Sequence, residues 1–464
     1  MRGQSETFPL DEASIASKLA GMAPEDPARI REILAKAKAM KGLDDHDLPP
    51  LMAIRDPELL QEMFAAARWV KDQIYGNRIV MFAPLYVSNL CGNECLYCAF
   101  RASNRELTRR TLTQAEIATE VDCLLSQGHK RLVLVAGEAY PKEGLDYILQ
   151  AIRTVYEVRR GEENIRRVNV NIAPLSVPDF QRLKETEIGT YQLFQETYHR
   201  PTYATMHPRG VKADFDWRLG CMDRAMQAGI DDVGIGALFG LYDWRFELLA
   251  IMHHARHLEA RFGCGPHTIS VPRIEPAEGS ATSEAPPHAV TDEDFWKIIA
   301  ILRLAVPYTG LILSTRERPE VRQEALRLGI SQISAGSRTN PGGYEEDLEG
   351  GAQFSLGDHR SLDEVVGDLA RTGFLPSFCT SCYRMGRTGA DFMDLAKPGE
   401  IKAHCGPNAL ATLQEFVEDH ASHATRCAAE QRLTESLREL DPHISAQAER
   451  MVARVKEGER DVFC

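Results

Sequence analysis

The spacing of apolar residues along the chain changes at residue 78. Before it, segments such as 56–74 (DPELLQEMFAAARWVKDQI) carry apolar residues at intervals of three and four, which predicts amphipathic helices with proline in the first turn. From residue 78 onward, short β-branched runs alternate with stretches of helical spacing such as 113–129 (TQAEIATEVDCLLSQGH). The runs predict strands over 78–88, 131–137, 167–173, 190–197, 231–238, 267–273, 310–315 and 332–337.

Alternation of strands and helices predicts parallel pairing with right-handed crossovers. Eight repeats in about 260 residues predict an α/β fold, a TIM-type (β/α)8 barrel, and an open doubly wound sheet is the alternative. After residue 338 the chain is polar, glycine-rich and strand-poor until helical spacing returns over 361–373. We therefore predict N-terminal helices over 1–77, the barrel over 78–338 and a mainly helical C-terminal extension over 339–464.

Composition and charge narrow the class of protein. The 464 residues are 44% hydrophobic and 26% charged, which is typical of a globular enzyme. Because 67 acidic residues exceed 54 basic ones, the net charge of −13 argues against nucleic acid or an anionic membrane as the main partner. No apolar run approaches the roughly 18 residues of a transmembrane helix, and the first residues carry no secretory pattern. We expect a cytoplasmic protein.

Six of the eleven cysteines fall into two tight groups. An odd number of cysteines in a long chain without a secretory signal argues against a disulfide framework, and tight groups in a reducing compartment indicate metal binding or catalysis. The other cysteines carry no motif, and we predict that they are small buried residues. They are Cys123, Cys221, Cys264, Cys427 and Cys464.

The first cysteine group is Cys91, Cys95 and Cys98, with the spacing C-x3-C-x2-C. It follows the first predicted strand, at the mouth where barrel enzymes keep their chemistry. Three thiolates can hold three irons of a 4Fe–4S cluster and leave the fourth iron open for a substrate or cofactor. A zinc site is the alternative, and it would need a fourth protein ligand near by.

This spacing, with Tyr97 before the third cysteine, resembles the radical S-adenosylmethionine (SAM) superfamily. The resemblance implies a 4Fe–4S cluster whose open iron binds SAM and whose electron cleaves SAM to a 5′-deoxyadenosyl radical. It also implies that Glu138 accepts a hydrogen bond from the SAM amino group, that Arg218 pairs with the SAM carboxylate, and that Gly234 and Gly236 lie along the adenine. A helix-capping role for Glu138 and a packing role for the glycines are the alternatives.

Two further motifs, QETYH over 195–199 and LSTRE over 313–317, follow predicted strands. They resemble motifs of the lyases that cleave tyrosine between Cα and Cβ. The resemblance implies L-tyrosine as the substrate and an external reductant such as flavodoxin or ferredoxin. Catalytic contacts are then expected from Gln195, Glu196, Ser314 and Arg316.

Arg316 is the residue that we expect at the substrate carboxylate, because a planar guanidinium matches a carboxylate with two parallel hydrogen bonds. Gln195 and Glu196 would supply polar contacts at the amine or ribose end. A surface ion pair of Arg316 with Glu317 or Glu320 is the alternative interpretation.

The second cysteine group is Cys379, Cys382 and Cys405, with the spacing C-x2-C-x22-C. Together with its flanking sequence, this group resembles the C-terminal extension of the tyrosine lyases that mature FeFe-hydrogenases. The resemblance implies an auxiliary 4Fe–4S cluster with an extra, labile iron that also binds free L-cysteine. His267, in GPHTISVPR, matches the histidine ligand of that iron. A structural zinc completed by His404 is the alternative.

The resemblance implies a carbon–carbon lyase that cleaves L-tyrosine to p-cresol and dehydroglycine. It would convert dehydroglycine to CO and cyanide at the auxiliary site and supply an Fe(CO)2(CN) synthon for the hydrogenase H-cluster, with other hydrogenase maturases as transient partners. The alternatives are a 2-iminoacetate synthase of thiazole biosynthesis, without CO or cyanide, and a non-catalytic iron–sulfur scaffold.

The two predicted sites should lie at opposite mouths of the barrel. His267 opens the sixth predicted strand and Arg273 closes it, which separates them by about 20 Å. A barrel filled by layers of side chains could not pass an intermediate from one mouth to the other. We therefore expect a tunnel lined partly by small residues, among them Gly234, Gly236, Ala335 and Gly336.

Overall fold

The computed structural model describes residues 8–346 and 350–464. Residues 1–7, where the predicted N-terminal unit begins, and residues 347–349, in the polar segment predicted after the barrel, lie outside the described residues. None of the helices in the described ranges has the length and apolar character needed to cross a membrane.

Helices precede the first strand, as the apolar spacing predicted. Asp26 and Asp56 each cap one of them by accepting hydrogen bonds from two backbone N–H groups of the first turn, and a proline follows each aspartate. Between the second and the last of them, the segment 42–51 overlaps a further short helix. The helices are α1 (Glu12–Ala20), α2 (Pro27–Ala37), α3 (Leu48–Met52) and α4 (Pro57–Ile74).

Eight parallel strands form the centre of the fold. They are β1 (Arg78–Ser88), β2 (Arg131–Ala136), β3 (Arg167–Asn171), β4 (Tyr191–Gln192), β5 (Val233–Gly236), β6 (Thr268–Ser270), β7 (Gly310–Leu313) and β8 (Gln332–Ser334). Neighbours pair in chain order, and β1 pairs with both β2 and β8, so the sheet is closed. This confirms the (β/α)8 barrel and excludes the open sheet. Each strand lies within a predicted run, although β4 is much shorter than predicted.

Helices cover the outside of the barrel. Thr113 and Glu116 form a capping box at the start of the first of them, where each side chain accepts a hydrogen bond from the other residue's backbone. The helices are α5 (Gln114–Ser126), α6 (Leu145–Glu157), α7 (Val177–Lys184), α8 (Arg200–Met206), α9 (Phe215–Leu219), α10 (Cys221–Gln227), α11 (Trp244–Phe262), α12 (Ala281–Glu284), α13 (Asp292–Ala305) and α14 (Pro319–Leu328), with a 3-10 turn at Val211–Ala213.

The chain after the barrel is mainly helical and returns to the barrel through one short strand. The helices are α15 (Leu362–Arg371), α16 (Ser381–Arg384), α17 (Gly389–Ala396), α18 (Lys402–Asp419), α19 (His423–Glu439) and α20 (Pro442–Lys456). Between α15 and α16, β9 (Leu375–Ser377) adds a parallel strand beside the start of β1, with Arg78 opposite Leu375. The sequence did not predict β9. Strand β9 brings Cys379, which follows it by two residues, to the amino-terminal mouth of the barrel.

Some predictions about small and sulfur-containing residues are wrong. Ser334 lines the barrel interior, so the next residue, Ala335, faces the helices. Gly336 has φ 57°, and a Cβ there would point at the backbone of Leu362 outside the barrel. Neither residue therefore lines a path through the interior. Among the cysteines without a motif, Cys221 and Cys264 are buried as predicted, Cys123 and Cys464 are half-buried, and Cys427 is exposed.

Candidate active site

A cavity of about 210 Å³ opens at the carboxyl ends of the barrel strands. It is the place where parallel barrels collect functional side chains. Most of the site residues predicted from the sequence line it. These are Cys91, Cys95, Tyr97, Cys98, Glu138, Glu196, Arg218, Ser314 and Arg316.

The loop that carries the three cysteines is fixed by backbone contacts and by one asparagine. Leu96 N–H donates to the Met206 carbonyl at 3.1 Å. Asn93 donates from Nδ2 to Glu138 at 2.8 Å, and its Oδ1 accepts from the backbone N–H of Lys212 at 2.9 Å. Gly137 must lack a side chain, since a Cβ would come within 2.1 Å of the Leu90 carbonyl oxygen. The loop is therefore held against the end of β2.

Burial raises the pKa of all three thiols, that of Cys98 to about 11, and it raises the pKa of Cys95 more strongly still. The loop therefore carries neutral thiols, which would lose their protons on binding iron. In the described part of the chain, the only His, Cys, Asp and Glu residues whose ligand atoms all lie within 4.8 Å of one another are Glu163, Asp419 and His420. Four thiolates around one zinc lie about 3.8 Å apart. In each cysteine group at least one pair of sulfurs therefore lies more than 4.8 Å apart, which fits a cluster of several irons better than a single zinc.

Four charged side chains form a network at the wall of the cavity; Arg218 and Glu196 are buried, and Glu138 and Lys212 are half-buried. Arg218 donates from Nη1 to Glu138 at 2.9 Å and from Nη2 to Glu196 at 3.2 Å, while Lys212 Nζ lies 2.7 Å from Glu196. Burial alone would raise the pKa of both carboxyls, but the two cations lower it below the ordinary value. Both carboxylates are therefore ionised and oriented.

All three guanidinium nitrogens of Arg218 donate within the protein, since Nε also donates to the Phe194 carbonyl at 2.7 Å. Arg218 therefore orients Glu138 and Glu196, and Nη1 and Nη2 each keep one further N–H, so the predicted contact with the SAM carboxylate stays a prediction. Glu196 has φ 73°, a conformation that non-glycine residues rarely adopt. Its carbonyl accepts from Leu238 N–H at 2.8 Å, which ties it to the end of β5.

Arg316 lies inside the cavity with its guanidinium 3.2 Å from the centre of the Phe354 ring. The predicted alternative, a surface ion pair, is wrong, because Glu317 is paired with Arg273 instead. Among the described residues no carboxylate lies within 4.0 Å of Arg316. Burial lowers its pKa from the ordinary value, although the group remains a cation at neutral pH. The side chain is free to bind an anion that enters the cavity.

Three predicted residues do not reach the cavity. Side chains alternate along a strand, so Gln192, Phe194 and Glu196 point inward and Gln195 points out of the barrel, buried and with Nε2 unpartnered. The two-residue period of this run could have identified Gln192. Gly234 and Gly236 do not line the cavity either; a Cβ on Gly236 would come within 2.6 Å of the Ser270 carbonyl oxygen.

Several other residues of the cavity wall carry no motif or spacing that could have pointed to them. Glu275 faces the cavity, and its pKa is raised by burial and then by Glu317. Tyr86 donates to Gln353 Oε1 at 2.8 Å, and Gln353 Nε2 lies 3.8 Å from the sulfur of Cys98. These residues come from separate loops with no shared motif, so only the fold brings them together.

A second cavity, of about 50 Å³, lies at the opposite, amino-terminal mouth of the barrel. His267 and the three C-terminal cysteines line it together, although they are more than a hundred residues apart in the chain. β9 delivers Cys379, and α18 carries Cys405. Its other lining residues include Arg78, Arg131, Gln332 and Tyr383.

The thiols of this second cavity interact with one another. A hydrogen bond between Cys382 and Cys405 lowers the pKa of the Cys405 thiol and raises that of the Cys382 thiol. His404 contacts Arg387 at 3.4 Å and does not line the cavity, so a zinc site completed by His404 is not supported.

His267 fits the role of a metal ligand. Burial lowers its pKa, so the imidazole is neutral. Its Nδ1 lies 3.0 Å from Asp232, without the alignment of a hydrogen bond. The ring is fixed by Phe392, with centroids 4.5 Å apart.

Comparison with known proteins agrees with this architecture. The model of the Radical SAM superfamily matches residues 85–252, and that of the Biotin and Thiamin Synthesis associated domain matches residues 270–375. The 2-iminoacetate synthase of Salmonella typhimurium is 35% identical over 336 residues, which cover 72% of this chain and 86% of the relative.

Two solved structures match nearly the whole chain. A crystal structure of HydG, a maturase of the FeFe-hydrogenase, is 48% identical with a TM-score of 0.95, and the match covers 98% of this chain and 99% of that one. HydG from Carboxydothermus hydrogenoformans is 41% identical with a TM-score of 0.84, covering 95% and 97%.

A closed barrel with three cysteines in the loop after its first strand is the architecture of a radical SAM enzyme, which implies a 4Fe–4S cluster and SAM as cofactors. The chain belongs to the radical SAM family that includes 2-iminoacetate synthase and HydG.

Proposed function

We propose that this protein is a tyrosine lyase of FeFe-hydrogenase maturation. It cleaves L-tyrosine to p-cresol and dehydroglycine, converts dehydroglycine to CO and cyanide, and supplies an Fe(CO)2(CN) synthon for the H-cluster. The observation that carries the proposal is the second cavity, in which His267 meets Cys379, Cys382 and Cys405. The three cysteines lie beyond both matched family models and His267 lies between the two, whereas the HydG match covers 98% of the chain.

In the first cavity, at the carboxyl mouth of the barrel, different residues would bind the cluster and SAM. Cys91, Cys95 and Cys98 would hold the cluster, which supplies the electron that cleaves SAM when both are bound. Glu138, ionised and oriented by Arg218, would accept from the SAM amino group. The same network, through Lys212 and Glu196, keeps charged groups fixed beside the cysteines.

The substrate end of the cavity suits a free amino acid. Arg316 offers an unpaired guanidinium for the carboxylate, and Glu275 is a nearby carboxylate for the amine. Phe354 and Ile274 give apolar surface for the phenol ring. Gln195 lies outside the cavity, so we assign polar contacts to Glu196 and Ser314 only.

In the second cavity, Cys379, Cys382 and Cys405 would hold an auxiliary 4Fe–4S cluster and His267 an extra, labile iron that also binds free L-cysteine. Neutral imidazole suits iron. An external electron carrier and the other hydrogenase maturases would bind transiently.

The alternative function is 2-iminoacetate synthesis alone, which the 35% identity to that synthase favours. Anaerobically reconstituted protein should be supplied with SAM, L-tyrosine and dithionite, and 5′-deoxyadenosine, p-cresol, CO and cyanide measured. We expect all four products. p-Cresol without CO or cyanide would favour the synthase, and no 5′-deoxyadenosine at all would favour a scaffold.

His267→Ala separates the two sites. The variant should still form p-cresol, because the first cavity is untouched, while CO per p-cresol falls at least tenfold. His404→Ala is the matched control, since His404 lies beside Cys405 but outside the cavity. Equal CO yields in His267→Ala and the control would show that His267 does not serve the second reaction.

A further inference from the structure

A glutamine from outside the first cysteine loop donates a hydrogen bond to one of its sulfurs. Gln353 Nε2 lies 3.8 Å from the sulfur of Cys98, although Gln353 comes 255 residues later in the chain. The glutamine lines the first cavity. At Cys91, by contrast, the hydrogen bonds come from backbone N–H groups, those of Asn93 and Glu138. Gln353 therefore contacts the cysteine group without belonging to the loop that carries it.

The amide of Gln353 is held with its nitrogen toward the sulfur. Its Oε1 accepts from the Tyr86 hydroxyl at 2.8 Å. Burial raises the pKa of Tyr86, so the hydroxyl keeps the proton that it donates. A thiolate sulfur can only accept, and an amide turned the other way would set its oxygen against that sulfur. The tyrosine and the sulfur therefore select the same orientation of the amide.

Backbone hydrogen bonds hold the main chain at Gln353 without help from the amide. The Gln353 carbonyl accepts from the N–H of Ala99 at 3.4 Å, and Gln353 N–H donates to the Thr339 carbonyl at 3.0 Å. Two residues further on, Ser355 N–H donates to the Pro276 carbonyl at 2.8 Å. Removal of the amide should therefore leave the backbone of this segment in place.

The contact between Gln353 and Cys98 lies in apolar surroundings. Cys98 packs against a cluster that includes Tyr86, Phe100 and Ala277. A hydrogen bond to a charged group is stronger in such a medium than in water. Burial raises the pKa of the Cys98 thiol, and Gln353 is one of the groups that lower it. A donor that lowers a thiol pKa stabilises negative charge on that sulfur.

We propose that Gln353, oriented by Tyr86, raises the reduction potential of the 4Fe–4S cluster held by Cys91, Cys95 and Cys98. Reduction by one electron adds a negative charge that the cluster shares with its sulfur ligands, so a donor at one sulfur stabilises the reduced state more than the oxidised state. The electron comes from the external reductant, and no covalent bond forms or breaks at Gln353. The proposal rests on the radical SAM class of the chain and not on the fate of tyrosine or dehydroglycine.

A redox titration followed by electron paramagnetic resonance tests this role. It compares the reconstituted wild type with Gln353→Leu and Gln353→Met, which remove the donor and keep a side chain of similar size. SAM identifies the signal of the first cluster, because SAM binds its open iron. We expect the reduction of that cluster to become at least threefold less favourable in both variants, which for one electron lowers the midpoint by about 28 mV. A signal that does not respond to SAM should keep its midpoint.

A second measurement separates an effect on potential from an effect on geometry. In both variants, 5′-deoxyadenosine formation should fall with dithionite and recover with titanium(III) citrate, a stronger reductant. A displaced cluster or a displaced SAM would give slow cleavage with both reductants. Gln414→Leu is the matched control, since Gln414 is 2% exposed and donates to Glu418 on α18, outside the first cavity. The control should keep the wild-type midpoint.

A wild-type midpoint in Gln353→Leu and Gln353→Met, with the SAM-responsive signal present, would overturn the proposal. Loss of that cluster from both variants would overturn it as well, because Gln353 would then be needed to hold the cluster and not to set its potential. A wild type that forms 5′-deoxyadenosine but neither p-cresol nor CO would refute the proposed function, and the midpoints would still decide the role of Gln353.

Discussion

Replacing Arg316 by lysine tests the substrate site with the least change of charge. The guanidinium is buried in the cavity, stacked on Phe354 at 3.2 Å and free of any carboxylate among the described residues. A lysine ammonium would keep the cation but present one nitrogen where the guanidinium presents a fork. If the substrate carboxylate binds this fork through two hydrogen bonds, lysine should keep one of them.

The expected loss follows from the energy of one charge-assisted hydrogen bond. Such a bond contributes about 1.5–3 kcal/mol, and burial of Arg316 means that solvent screening does not reduce it much. Since about 1.4 kcal/mol is tenfold, kcat/KM for tyrosine should fall by about 10- to 150-fold. A less firmly held substrate should also let SAM cleavage proceed without p-cresol formation.

The assay compares p-cresol and 5′-deoxyadenosine formation across tyrosine concentrations in reconstituted protein. Arg318→Lys is the matched control, because Arg318 lies two residues further along the same loop, is 66% exposed and pairs with Asp292 at 3.2 Å. Arg318→Lys should match the wild type. An unchanged KM and an unchanged ratio of the two products in Arg316→Lys would refute the assignment of the carboxylate to Arg316.

Three further changes test other parts of the structure. Cys98→Ser should lower 5′-deoxyadenosine formation at least a hundredfold by removing a cluster ligand, whereas Cys123→Ser should not. Burial raises the pKa of Glu247 to about 8, so its contribution to stability is complete below about pH 4.5 and is lost as pH rises through about 8. This pH dependence of the unfolding free energy, up to about 1.4 kcal/mol per pH unit over that range, should disappear in Glu247→Gln. Glu259→Gln, on the same helix, should keep it. Thermal unfolding at several pH values measures both variants. Thr268 lies inside the barrel, and Thr268→Leu should leave p-cresol formation unchanged but lower the ratio of CO to p-cresol severalfold. Thr268→Ser should have the wild-type ratio.

The barrel could be predicted because each of its strands lies in a β-branched run bounded by helical spacing. β9 could not, because LPS is three residues long and contains a proline, and only its pairing with β1 makes it a strand. Both cysteine groups could be found because ligand spacing is local. Lys212 and Glu275 could not, since their places in the cavity wall depend on how separate loops fold together. Gln195 was predicted by motif alone, and the alternation of side chains along β4 points it away from the cavity.

The layer of side chains between the two cavities departs from the usual packing of a barrel. Such layers are normally filled by bulky branched residues. Here Gln192, Thr268 and Gln332 come from alternate strands, and Gly234 and Gly310 on the strands between them carry no side chain. Nε2 of Gln192, Oγ1 of Thr268 and Oε1 of Gln332 are buried without a partner. Unpaired polar atoms are costly in a barrel interior unless water or a polar solute meets them. Under the proposed function, a small polar intermediate passes from one mouth to the other, and these unpaired polar atoms would meet it on the way.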